Sequence, residues 1–118
     1  MDNKTFEKVS EMLKDNKYAV CIDEGYFPDY IQIYPPIDGR LYLEITQCDD
    51  NEYVHISGIG SDGECSEDVF CYDENKSWKE NILEFYLTCA KVFGKAAEEY
   101  MLYDILRWDE VSLTIDRQ

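Results

Sequence analysis

One histidine, five cysteines, ten tyrosines and 26 carboxylates are the side chains here with chemistry to offer, and their spacing decides which chemistry is within reach. His55 stands between Val54 and Ile56, so on a strand it points away from both. A zinc site or a Cys-His nucleophile pair would need cysteines beside it. No C-x-x-C occurs, and Cys65 and Cys71 are six residues apart, a poor spacing for one ion. Neither a metal nor another cofactor is expected. Gly58-Ile59-Gly60-Ser61-Asp62-Gly63 matches G-x-G-x-x-G after an expected strand. The pyrophosphate fingerprint, however, needs a helix opening at the last glycine, whereas Glu64, Glu67 and Asp68 stand where phosphate charge would settle. The motif reads instead as a glycine loop that carries acids. Asp49-Asp50-Asn51-Glu52 and Asp62-Gly63-Glu64 offer oxygens to calcium without the ligand spacing and terminal Glu of an EF-hand loop. No acid/base or nucleophile constellation emerges, and the chain is expected not to be an enzyme.

The carboxylates carry the stronger signal. Eleven Lys and Arg against 26 Asp and Glu give a net charge of −15 and a pI near 4.2, which repels nucleic-acid phosphates and anionic membranes alike. The charge is also unevenly placed. Residues 41–75 hold ten acids and no lysine or arginine: Glu44, Asp49, Asp50, Glu52, Asp62, Glu64, Glu67, Asp68, Asp73 and Glu74. Like charges within a Debye length of about 8 Å repel one another, so solvated surfaces ordinarily intersperse both signs. A single-sign stretch suits a basic protein partner, since concentrated charge supplies steering and partner choice. Tyr30, Tyr34, Tyr42 and Tyr53 share the polar phase of the expected strands with Gln32, Glu44, Thr46, His55 and Ser57. Tyrosine brings rigid contact area with a polar tip. The expected partner-binding set is therefore Asp49, Asp50, Glu52, Asp62, Glu64, Glu67, Asp68, Asp73 and Glu74, with the acids in loops, together with Tyr42 and Tyr53.

The elements that must position these groups follow from hydrophobic periodicity. Phe6, Val9 and Leu13 predict a helix from Thr5 to about Asn16, with Asn3 as its cap. Tyr18–Asp23 predicts a strand. Residues 30–34 and 41–46 alternate on either side of Pro35-Pro36-Ile37-Asp38-Gly39, a hairpin pattern that Val54 and Ile56 extend into an antiparallel meander. Ser77-Trp78-Lys79-Glu80 forms a capping box. The wide apolar arc after it predicts a largely buried helix, with Gly94 ending it, a second helical piece through Trp108, and a last strand at Val111, Leu113 and Ile115. Leu43, Leu83 and Phe93 are expected to be buried, as are Cys21 and Cys89.

With 118 residues and 45% apolar content, residues 1–118 make one α+β domain: an N-terminal helix and an antiparallel β-meander of three to five strands packed against C-terminal helices. No run approaches the roughly 18 apolar residues of a membrane span, and no apolar signal region opens the chain, so a cytoplasmic protein with reduced thiols is expected.

The helix, the pair YIQIYPPIDGRLYLEI at 30–45, the further strand, Trp78 near a helix start and the long C-terminal helical region resemble the small chaperone-like α+β domains related to type III secretion chaperones, over about residues 28–108. That resemblance implies no catalytic residues. In size and composition the chain is also similar to cytosolic immunity proteins that neutralise bacterial toxins, and to phage inhibitors of host nucleases. The resulting expectation is a protein that occludes the active site of a basic nuclease toxin with an acidic surface. A phage anti-defence protein acting as a nucleic-acid mimic and a secretion chaperone are the alternatives.

Overall fold

The computed structural model describes residues 4–22, 30–35, 41–48, 52–60 and 63–116, with Cys65 and residues 99–116 described by backbone alone. Helix α1 (Thr5–Leu13) is followed by strands β1 (Ala19–Ile22), β2 (Tyr30–Ile33), β3 (Tyr42–Gln47), β4 (Val54–Gly60) and β5 (Gly63–Phe70), and then by helix α2 (Trp78–Asp116). The strands pair in chain order, each antiparallel to the next, as the meander pattern predicts. Period-2 alternation gives the sheet two unlike faces. Ile31, Ile33, Leu43, Ile45, Val54, Ile56 and Phe70 point inward and are buried, and the register sets Ile31 beside Ile45 and Ile45 beside Ile56.

Both helices pack on that inner face. In α1, Phe6, Val9 and Leu13 enter the core. The expected cap, Asn3, lies outside the described residues; Lys4, in a left-handed conformation at φ 53°, occupies the cap position and provides no side-chain cap. Thr5 fastens this helix end instead. Its buried Oγ1 donates to the Glu52 carbonyl (2.5 Å) and accepts from the Tyr72 amide (3.1 Å), joining α1 to the approaches of β4 and α2.

The start of α2 is the capping box read from the sequence: Ser77 Oγ accepts the Glu80 amide (3.1 Å), and Glu80 Oε1 accepts the Ser77 amide (3.4 Å). One turn on, fully buried Asn81 clamps the connection from β5, accepting the Asp73 amide and donating to the carbonyls of Asp73 and Ser77, each at 2.9 Å. Asn81, Phe85, Cys89, Val92 and Ala96 then form the buried stripe over β4 and β5, and Phe85 meets Phe70 edge-on at 5.3 Å. Burial pushes the Cys89 thiol up to about 12, leaving it inert.

Several expectations change here. Gly94 does not end the helix: α2 runs 39 residues through it, because one glycine costs only about 1 kcal/mol in a helix already nucleated. Val111–Ile115 is helical rather than a strand, since Val111 and Ile115 are also four apart and suit a helix equally well. Leu83 is 61% exposed and Leu87 55%, because the sheet accepts only one stripe of the broad apolar arc and Leu83 lies about 200° from Phe85 around the axis. Phe93 is half-buried at the margin of the core. Cys21 is exposed, on the edge strand β1. No helix among the described residues is long and apolar enough to cross a membrane.

The glycine motif has a packing role. A Cβ on Gly58 would stand 2.5 Å from the Ala96 Cβ, so this glycine lets α2 approach β4, and Ser66 Oγ holds the contact by donating to the Val92 carbonyl at 2.6 Å. Gly63, at φ +103°, opens β5 in a conformation that favours glycine. The expected acid-bearing loop is thus a strand from Gly63 onward, and Glu64, Glu67 and Asp68 are strand residues. Edge strands tolerate such charge, which discourages pairing with another chain.

Candidate functional site

The outer face of the sheet is the surface that packing leaves over. Tyr30, Gln32, Tyr42, Glu44, Thr46, His55, Ser57, Glu67 and Val69 occupy its outward register positions, whereas the core draws its residues from the inner face and the helices. None of the five strands contains a lysine or arginine. The tyrosines are ordered on it. Tyr34 and Tyr42 stack with ring centroids 5.1 Å apart and planes 25° from parallel, and the Tyr34 hydroxyl donates to Gln32 Oε1 at 2.5 Å. Partial burial first, then the neighbouring Glu44 and Tyr34, holds the Tyr42 phenol above its ordinary range.

The expected binding residues separate into several places. Glu64 and Glu67 face outward on β5, and Tyr42 lies on the same face across β3. Asp68 pairs with Ile56 and therefore belongs to the inner side, at the sheet edge, where its carboxylate accepts the Val69 amide at 2.8 Å. Exposed Glu52 and Tyr53 lead into β4. Asp73 is a turn former whose Oδ1 accepts the Asn75 amide (2.9 Å), and Glu74 is exposed beside it. Asp49, Asp50 and Asp62 lie outside the described residues. Val54 pairs with Phe70 at one end of the β4–β5 ladder and Gly60 with Gly63 at the other, so Glu52 and Asp73 are about 20 Å from the hairpin end that bears Glu64. The acids among the described residues do not make one patch.

One grouping escaped the sequence pattern. Glu64 and Glu67 are three residues apart and would face opposite sides of a regular strand. A register shift between Gly58 and Ile59 pairs Ser57 with Glu67 but Ile59 with Glu64, and that bulge turns both carboxylates outward beside His55. His55 Nε2 lies 2.5 Å from Glu67 Oε2, and one donor atom each from His55, Glu64 and Glu67 lie within 4.8 Å of one another. Hydrogen bonding to His55, then to Glu64, and the imidazole charge hold the Glu67 carboxyl below its usual range. Behind the ring, Ser57 Oγ sits 3.2 Å from His55 Nδ1. Hydroxyl, imidazole and carboxylate in line invite comparison with a nucleophilic relay, but Ser57 is only 6% exposed. Its hydroxyl is placed to orient the imidazole. No amino-acid periodicity announces a bulge, so only the outward phase of His55 was readable beforehand.

Against family models, characterised proteins and solved structures, the chain finds no match.

Proposed function

We propose that the protein is a non-enzymatic inhibitor that binds a basic protein through the outer sheet face, and that a bacterial nuclease toxin is the partner class this surface suits. The observation that carries the reading is a sheet face, free of lysine and arginine on every strand, which sets Glu44 beside a stacked tyrosine pair and Glu64 and Glu67 on the same face two strands away. Carboxylates steer a cationic nucleic-acid groove toward the sheet from beyond contact distance. Tyr34 and Tyr42 then supply area that need not be ordered on docking, because each ring already rests on the other. The nuclease loses access to its substrate by occlusion, which requires no chemistry from the inhibitor. Such a protein acts in the cytoplasm, where its toxin would otherwise act.

The test is inhibition of purified nuclease toxins by the full chain, with association rates measured from about 50 to 500 mM salt. Stoichiometric inhibition with rates falling steeply as salt rises is the expected result. Binding indifferent to salt would overturn it in favour of a secretion chaperone, a reading that exposed Leu83 and Leu87 on α2 support, since a chaperone grips extended segments through apolar surface.

A further inference from the structure

We infer that His55, Glu64 and Glu67 form a binding site for a divalent transition-metal ion of the Zn²⁺ type on the outer face of the β4–β5 ribbon. The set mixes one imidazole nitrogen with two carboxylate oxygens, a donor combination that suits borderline ions such as Zn²⁺. Two features build it. The bulge brings together two like-charged side chains that regular alternation would part, on strands holding no lysine or arginine to balance them. With the imidazole neutral, the three side chains carry two negative charges, which one divalent cation balances.

Ser57 completes the arrangement. A metal-binding imidazole offers one nitrogen to the ion and donates its other N–H to an oxygen, and Ser57 Oγ is that oxygen at His55 Nδ1. A serine hydroxyl both donates and accepts, so it serves the ring in either tautomer. Zinc bonds of about 2.0–2.1 Å place tetrahedral ligand atoms roughly 3.3 Å apart. Entry of the ion requires the Nε2 lone pair, so a proton on Nε2 passes to water from the imidazolium or relocates to Nδ1 in the neutral ring, where Ser57 Oγ accepts it. The 2.5 Å contact with Glu67 Oε2 then opens by under about 1 Å, and Glu64 is drawn inward from within its 4.8 Å limit. Side-chain torsions alone cover such distances. Water fills the remaining position, as the three protein ligands lie on a solvent-facing sheet. The site goes beyond the inhibitor reading and does not depend on it, because it is tested on the isolated chain.

The experiment is titration of the full chain, under reducing conditions, with ZnCl₂ by calorimetry and with CoCl₂ by visible absorption. One ion per chain is expected, with a Co²⁺ d–d spectrum of low coordination number and no sulfur-to-cobalt charge-transfer band. Glu64→Gln and Glu67→Gln keep shape and remove charge, and each should weaken Zn²⁺ binding at least tenfold; Ser57→Ala should weaken it about 10- to 100-fold. Circular dichroism establishes that each variant is folded, and Asp73→Asn/Glu74→Gln controls for general acidity. Absence of binding at millimolar ZnCl₂, a thiolate charge-transfer band, or equal loss in the control and in Glu64→Gln/Glu67→Gln would each overturn the site. Should any of the variants fail to fold, Co²⁺-induced broadening of the His55 ring signals in the wild-type NMR spectrum decides the matter: selective loss supports the site, and uniform broadening across the acidic residues overturns it.

Discussion

The two faces of the sheet are written in the same strands, residue by residue in alternation, yet they answer to different constraints. Inward positions hold Ile31, Leu43, Ile45, Val54 and Ile56, and each meets a helix or a neighbour of its own kind. Outward positions hold tyrosines, glutamates, a histidine and a serine, and the core is complete without them. The helices behave unlike the outer face as well: α1 and α2 intersperse lysines with their acids, including Lys8 in α1 and Lys79, Lys91 and Lys95 in α2. The packing of the core does not call for the composition of the outer face, and the proposed binding reading rests on that contrast.

The largest test of that contrast sets Phe85→Ala against Tyr34→Ala. Phe85 is fully buried against Phe70 on the inner face of the sheet, so its truncation should cost about 3–5 kcal/mol in urea unfolding. Tyr34 loses mainly its stack on Tyr42, at about 0.5–1.5 kcal/mol. Equal costs would mean that the outer face is as structural as the inner one, and the contrast would fail.

Charge reversal sharpens the comparison on the binding side. Glu44→Lys/Glu64→Lys/Glu67→Lys should slow association with a basic partner by two orders of magnitude or more, from about 10⁸ toward 10⁵–10⁶ M⁻¹s⁻¹. Reversing Glu7, Glu11 and Glu98 on the helices changes net charge equally. If both triple variants lose rate alike, only the overall field matters and the sheet face holds no site.

A third substitution probes how closely the inner face is packed. Gly58→Ala places a methyl 2.5 Å from the Ala96 Cβ, and overpacking of this kind costs about 1–3 kcal/mol. Ala96→Gly should restore part of the loss, so that the double variant is more stable than the two single costs would add up to. Strict additivity would show that α2 rides further from β4 than the contact implies.

Much of the inner face was legible in the sequence because packing enforces period. The alternation at 30–34 and 41–46, the Ser77–Glu80 capping box and the spacing of Phe6, Val9 and Leu13 each reflect a local rule that the fold obeys. Strand β5 was not legible. Glu-Cys-Ser-Glu-Asp is poor in β-formers, and only its pairing with β4 makes it a strand. The buried stripe of α2 was hidden by Leu83 and Leu87, which are as apolar as Phe85 but lie on the far side. Among the site residues, His55 could be placed outward by alternation, but its meeting with Glu64 and Glu67 depends on a single inserted residue at a bulge. Patterns of period two cannot encode their own interruption.

The smallest expected effect bears on that same trio. Hydrogen bonds to His55 and Glu64 and the charge of His55 depress the Glu67 carboxyl in the folded protein. A carboxyl lowered on folding contributes stability above its unfolded value, near 4.5, and that contribution is lost as pH falls through the lower folded value. Because Glu67 is on the surface, the contribution is slight and screened by salt. With chelator present to keep the carboxylates metal-free, Glu67→Gln should therefore melt slightly below wild type at pH 7, and the gap should narrow as pH falls below about 4.5. Glu64→Gln, whose amide can still donate to the Glu67 carboxylate, should be neutral or slightly stabilising at pH 7. A gap between Glu67→Gln and wild type that stays constant from pH 7 to 3 would mean that His55 and Glu67 do not pair in solution. The outer face would then keep its tyrosines and its charge but lose the one place where its side chains fix each other's geometry.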